Sequence, residues 1–111
     1  MREIKFRGKS KLGDWYCGDL VHNYREKIVQ IQVRTGMKFT VDKNTVGQYT
    51  GLKDKNNMEI YEGDIVEYYS PSYDEYIQKE VSYKEGAFFV GYILLQHKSK
   101  NVRIIGNIFE D

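Results

Sequence analysis

Apolar and polar residues alternate with a period of two along most of this chain, the spacing of half-buried strands. In "EIKFRGKS", Ile4 and Phe6 alternate with Glu3, Lys5 and Arg7, which predicts a strand with one buried face. "KLGD" (Lys11–Asp14) then turns the chain into "WYCGDLV", a first hairpin. "KIVQIQVR" sets Val29, Ile31 and Val33 against Gln30 and Gln32. After Thr35 and Gly36, "MKFTV" puts Phe39 and Val41 on one side. Farther on, "DIVEYY" reads as a strand, and "IQKEVSYK" alternates Ile77, Val81 and Tyr83 with Lys79 as the misfit. "KEG" (Lys84–Gly86) turns into "AFFVGY". "NVRIIGNIFE" predicts a last strand, with Gly106 as a bulge or a point of close backbone approach.

Two segments compete with the strand pattern. "SPSYDEYIQKE" has Ser72 and Glu75 at capping-box spacing and Tyr73, Tyr76 and Ile77 on one helical face, so a turn of helix is an alternative there. "GYILLQHKS" is short and apolar enough to be either type.

The segment "GQYTGLKDKNNMEIYEGDIV" (Gly47–Val66) is dense in glycine, charge and turn residues. "KDKNN" (Lys53–Asn57) predicts a sharp reversal, because Asp and Asn bond their own backbone and tolerate positive φ. Gly63 permits a tight entry into the next strand, and Asp64 bonds local amides. Leu52, Met58, Ile60, Ile65 and Val66 are the expected core plug. The competing reading, Glu62 and Asp64 as an acid–base or cation-binding pair, lacks a third element such as an apolar pocket or a ligand cage.

Composition narrows the class. A chain of 111 residues makes one compact domain or two small lobes, and 41% apolar residues with 14% aromatics support a core. The net charge of +1 suits poorly a protein that grips polyphosphate without sequence preference. Its distribution is uneven. Residues 1–53 carry 11 Lys/Arg against 5 Asp/Glu, a net of +6, whereas residues 54–111 carry 6 against 11, a net of −5. We therefore expect a basic N-terminal lobe (1–53) and an acidic C-terminal lobe (54–111), a layout that either steers surfaces together or reflects two subdomains of opposite composition. Cys17 is the only cysteine, so an intrachain disulfide and a cysteine-built zinc site are excluded. No secretory h-region opens the chain and "AFFVGYILL" is far short of a bilayer span, so the expectation is a soluble cytoplasmic protein without a membrane partner.

Candidate chemistry is sparse. His22 and His97 lie far apart and fall in no metal-binding spacing, and no G-x-S-x-G, Walker or G-x-G-x-x-G loop occurs. Cys17, between Tyr16 and Gly18, reads as a buried small hydrophobe. No catalytic, cofactor-binding or metal-binding residue is expected. Lys5, Arg7, Lys9 and Lys11 alternate onto one strand face, with Arg2 before them and Trp15 and Tyr16 following. Such a ribbon either binds single-stranded nucleic acid or protects an edge strand. Of the ten tyrosines, Tyr68, Tyr69, Tyr73 and Tyr76 cluster with Asp74 and Glu75 in "YYSPSYDEY". This loop either forms an interface with a basic protein surface or packs over the core.

Three blocks, "MREIKFRGKSKLGDWYCGDL", "TVGQYTGLKDKNNMEIYEGDIV" and "IIGNIFE", in this order resemble the signature of the YopX family, small proteins of phages and prophages. Asn56-Asn57 stands where that family often has Asn-Gly. The resemblance implies a mainly β fold with SH3-like barrel character and a bacterial host; it carries over neither an activity nor catalytic residues. The expected function is a non-enzymatic binding or assembly module, with nucleic-acid binding by the basic strand as the alternative. In the self-associating form, Arg7, Lys9 or Lys11 of one chain faces Asp74 and Glu75 of its neighbour, and the four clustered tyrosines supply buried area.

Overall fold

The alternating pattern folds as strands throughout the computed structural model, which describes residues 3–110. Among these there are eleven strands and three short 3-10 turns, with no α-helix. No helix of the described residues is long and apolar enough to cross a membrane. The chain forms two compact units, residues 1–49 and 50–111.

In the first unit, β1 (Phe6–Lys9), β2 (Trp15–Asn23), β3 (Ile28–Gln32) and β4 (Lys38–Val41) are joined by successive turns. A 3-10 turn at Lys43–Thr45 leads into β5 (Gly47–Lys53), whose first residues pair with β1. The order is β4-β3-β2-β1-β5, all antiparallel where registered. Register places Leu20 opposite Ile31, and Ile31 opposite Phe39. Ile31 is fully buried, Val41 is nearly so, and the rings of Tyr16 and Phe39 stack at 4.0 Å. The sheet curls enough for the end of β4 to meet β1: Asp42 N donates to Lys9 O at 2.8 Å, and Lys9 N to Thr45 Oγ1 at 2.9 Å. Gly18 allows the close approach of β3. A Cβ there would lie 2.1 Å from the Gln32 carbonyl oxygen, inside any real contact distance.

The second unit contains β6 (Glu59–Tyr61), β7 (Asp64–Ser70), β8 (Glu75–Lys84), β9 (Ala87–Val90), β10 (Ile93–Leu94) and β11 (Arg103–Asn107). Five of them form an antiparallel sheet ordered β10-β9-β8-β7-β11, and β6 lies beside β5. Ile60, Val66, Val81, Val90, Leu95 and Val102 are fully buried, with Tyr68, Leu52, Ile77, Phe88 and Ile104 against them. Each such aliphatic side chain stabilises the fold by roughly 1.5–3 kcal/mol, which is what holds a unit of this size together.

Several sequence expectations change here. The sheet of the second unit is open, because β10 and β11 end the strand order instead of pairing, so no closed barrel forms. No helix turn occurs in "SPSYDEYIQKE". Residues 71–74 instead make the turn of the β7–β8 hairpin, in which Tyr69 pairs with Tyr76 and Ser70 with Glu75. The long β8 ladder and its cross-strand aromatic pair outweigh one capping box. "GYILLQHKS" divides into β10 and a 3-10 turn. Ile4 precedes β1 and is exposed, Met58 is exposed where its turn closes on Asp54, and Cys17 is exposed on β2. Cys17 pairs with Arg7, so its side chain shares the charged face of β1 instead of the face packed on Val41.

The "KDKNN" turn does more than reverse the chain. Asp54 is buried, and its Oδ1 accepts from Asn56 N and Met58 N at 2.9 Å each. Its Oδ2 accepts from Ile104 N, also at 2.9 Å, while Lys55 N donates to Val102 O. The loop thereby covers the start of β11, an edge strand that would otherwise present open backbone groups. Asn57 takes φ +66, the conformation that Asn tolerates and Gly favours.

Candidate functional site

The basic ribbon is engaged by the chain's own aromatic rings. Lys9 pairs with Trp15 across β1 and β2, and Arg7 is one pair farther along on the same face. Arg7 Cζ lies 5.0 Å from the Trp15 ring centre and Lys9 Nζ 5.9 Å from it; Lys5 Nζ lies 5.1 Å from that of Tyr49. The Nε and Nη2 atoms of Arg7 are buried. Lys5 also lies 3.6 Å from the Glu3 carboxylate. Lys11 is exposed in the turn after β1, and Arg2 falls outside the described residues. Cations resting on rings in this way stabilise the sheet they stand on.

The freer cations of the first unit are ones that sequence reasoning passed over. Arg34 is exposed in the β3–β4 turn and Lys38 at the first position of β4, with Met37 59% exposed between them. Their signal was available: two basic residues flank the Thr35-Gly36 turn with no acid among residues 33–38.

The tyrosine-rich hairpin divides by strand parity. Tyr68 points into the core and is 9% exposed, with Lys98 Nζ 4.7 Å from its ring centre. It is therefore unavailable as contact area. Tyr69, Tyr73 and Tyr76 are 43%, 72% and 66% exposed at the hairpin end. The rings of Tyr69 and Tyr76 meet edge to face at 5.5 Å, and the Tyr69 hydroxyl donates to Asp74, which sits at φ +50 in the turn. That hydrogen bond pushes the Tyr69 hydroxyl above the ordinary tyrosine range. Glu75 is exposed beside it. One register step down the same face, Glu67 accepts from Gln78 Nε2 at 3.0 Å and from Arg103 Nη2 at 2.8 Å. These two partners hold its carboxyl below the usual glutamate range. The aromatic tip thus stands on a braced strand pair.

The carboxylates of "EGD" have separate environments. Asp64 is 1% exposed and its Oδ2 accepts from Tyr61 N at 2.8 Å, whereas Glu62 is half-buried. Gly63 has φ +93; its N donates to Val81 O and its O accepts from Ile108 N, both at 2.9 Å. A Cβ at this position would lie 3.3 Å from the Phe109 ring. Gly106 sits at the register shift of β11 against β7, but a Cβ there would meet nothing nearer than the Glu110 carboxylate at 3.6 Å. The bulge is where the sequence puts it; the close approach is absent.

Among the described residues, no group of three or more His, Cys, Asp or Glu side chains is arranged to hold a metal ion. The first unit has an open cleft of about 620 Å³ lined by Lys5, Cys17, Asp19, Gln32 and Arg34 among others. Its lining mixes both signs of charge.

The comparisons with known proteins bear on fold and family. The crystal structure of protein EF1440 from Enterococcus faecalis is similar to this chain at 24% identity, covering 97% of this chain and 94% of that one, with a TM-score of 0.61. That likeness extends to the fold. Among curated proteins none matches. The family model described as YopX protein matches residues 5–111, and on that evidence the chain belongs to the YopX family.

Proposed function

We propose that this protein is a non-enzymatic binding or assembly module of a phage or prophage, acting in the host cytoplasm through the tip of its β7–β8 hairpin. The observation that carries this reading is the exposed trio Tyr69, Tyr73 and Tyr76 at one hairpin end, with Asp74 and Glu75 among them. Tyrosine offers large amphipathic area at small entropic cost. Here the Tyr69–Asp74 hydrogen bond and the Tyr69–Tyr76 ring pair fix two of the three rings before any partner arrives. The acidic residues favour a basic protein surface and repel phosphate. In the same reading, the second unit is an open relative of SH3-like barrels, five antiparallel strands with one apolar core. Nucleic-acid binding through β1 is disfavoured, because the rings needed for base stacking already carry Lys5, Arg7 and Lys9.

The test is a pull-down from host lysate with native mass measurement, comparing the wild type with Tyr73→Ala/Tyr76→Ala. The wild type should retain a stoichiometric protein partner, another copy included. The double variant, verified as folded by its melting curve, should lose it. Identical recovery with both proteins would reject the hairpin as the contact element.

A further inference from the structure

We infer that the hairpin tip binds a second copy of this chain, through that copy's β3–β4 turn. The inference rests on the hairpin being the contact element and adds the identity of the surface it meets. The turn is well built: Val33 N donates to Met37 O and Gly36 N to Val33 O, both at 2.9 Å, and Gln32 Nε2 donates to Gly36 O at 3.1 Å. It presents Arg34 and Lys38 with Met37, and residues 33–38 contain no acid. The other basic turns of the first unit each carry an acid of their own, which balances the β1–β2 turn and leaves the β2–β3 turn with one positive charge in excess. Glu26 lies between Arg25 and Lys27, and Asp14 shares the β1–β2 turn with Lys11. Of these turns, the one after β3 joins two exposed cations to an exposed apolar side chain without an opposing charge.

Its chemistry matches the tip. A guanidinium rests favourably on a tyrosine face and pairs bidentately with a carboxylate, here Glu75. A methionine thioether packs well against an aromatic ring, and Tyr73 offers one that is 72% exposed. This chain already uses a cation on a tyrosine ring at Lys98 and Tyr68. The contact is heterologous, joining different patches of two copies, so it forms twice in a reciprocal dimer or repeats along a chain of copies. Two hairpin ends bury less than the roughly 1,000 Å² of a durable interface, so the association is weak and salt-sensitive.

The deciding experiment is sedimentation equilibrium of the full chain at low salt, up to about 1 mM, a range that resolves weak association. Mass should rise with concentration for the wild type. Glu75→Arg and Arg34→Glu, both at exposed positions, should each weaken association about tenfold or more. Their combination should restore it to within about threefold, because the pair is again of opposite sign. Lys38→Glu replaces Arg34→Glu should the latter misfold. A monomeric mass throughout would overturn the inference, as would association indifferent to the single variants or not restored by combining them. A monomeric mass with a different protein captured through Tyr73 and Tyr76 would reject the second copy and leave the hairpin reading standing.

Discussion

Replacing Asp54 with alanine should unfold the second unit at a much lower temperature, although the position lies in a polar turn. The carboxylate is 5% exposed and accepts three backbone amides: Asn56, Met58 and, fifty residues away, Ile104. The three do not count equally. Asn56 and Met58 are exposed residues of the turn, and water can replace much of what they lose. Ile104 is partly buried in β11, so its amide loses a charged acceptor with less water to substitute. A hydrogen bond to a charged group contributes about 1.5–3 kcal/mol net, and a neutral-strength one about 1 kcal/mol. Counting Ile104 at the first rate and the two turn amides together at the second gives about 2.5–4 kcal/mol. For a unit of this size, each kcal/mol shifts the midpoint by roughly 4–8 °C, so a fall of 10 °C or more is expected. Asp54→Asn keeps one acceptor oxygen and should fall between the variants. Calorimetry measures the midpoint, and hydrogen exchange should show faster uptake at the Ile104 amide. A midpoint within about 2 °C of wild type, with Ile104 still protected, would refute the reasoning.

Gly18→Ala should cost more than about 3 kcal/mol or prevent folding, since its Cβ would sit 2.1 Å from the Gln32 carbonyl; a wild-type melt would contradict that. Gly63→Val should cost about 1–3 kcal/mol through its φ of +93 and the nearby Phe109 ring, measured by denaturant unfolding. Phenolate absorbance should place Tyr69 above ordinary tyrosines, and Asp74→Gly, which suits the positive φ, should bring it back. The sign follows from the raised value: the Tyr69–Asp74 bond contributes fully below the ordinary tyrosine pKa and is lost as pH rises through the raised one.

What the sequence made legible was local. Period-two alternation marked β3, β4 and the start of β7, and turn chemistry marked Asn57, Gly63 and the turn at Lys84–Gly86, where Glu85 and Gly86 both have positive φ. Several misses depend on pairing between strands. Which neighbour in Tyr68-Tyr69 faces inward is a matter of strand parity, which the adjacent apolar pair Ile65-Val66 leaves undecided in sequence. Cys17 and Arg7 share a face through the β1–β2 register, so neither the exposed thiol nor the buried guanidinium nitrogens follow from their own neighbours in sequence. Asp54 declared its turn, but its bond to Ile104 spans half the chain. Barrel closure likewise depends on whether the end strands meet, which the strand pattern alone does not determine.

The claim that the β7–β8 hairpin tip is the contact element is tested most directly by a photocrosslinking residue at position 73 in the living host. Leu12, 91% exposed in the β1–β2 turn, is the matched control position. Position 73 should yield a discrete protein adduct, diminished by Tyr76→Ala, while position 12 yields none. Equal adducts at both positions, or none at position 73 with the protein folded and abundant, would contradict it.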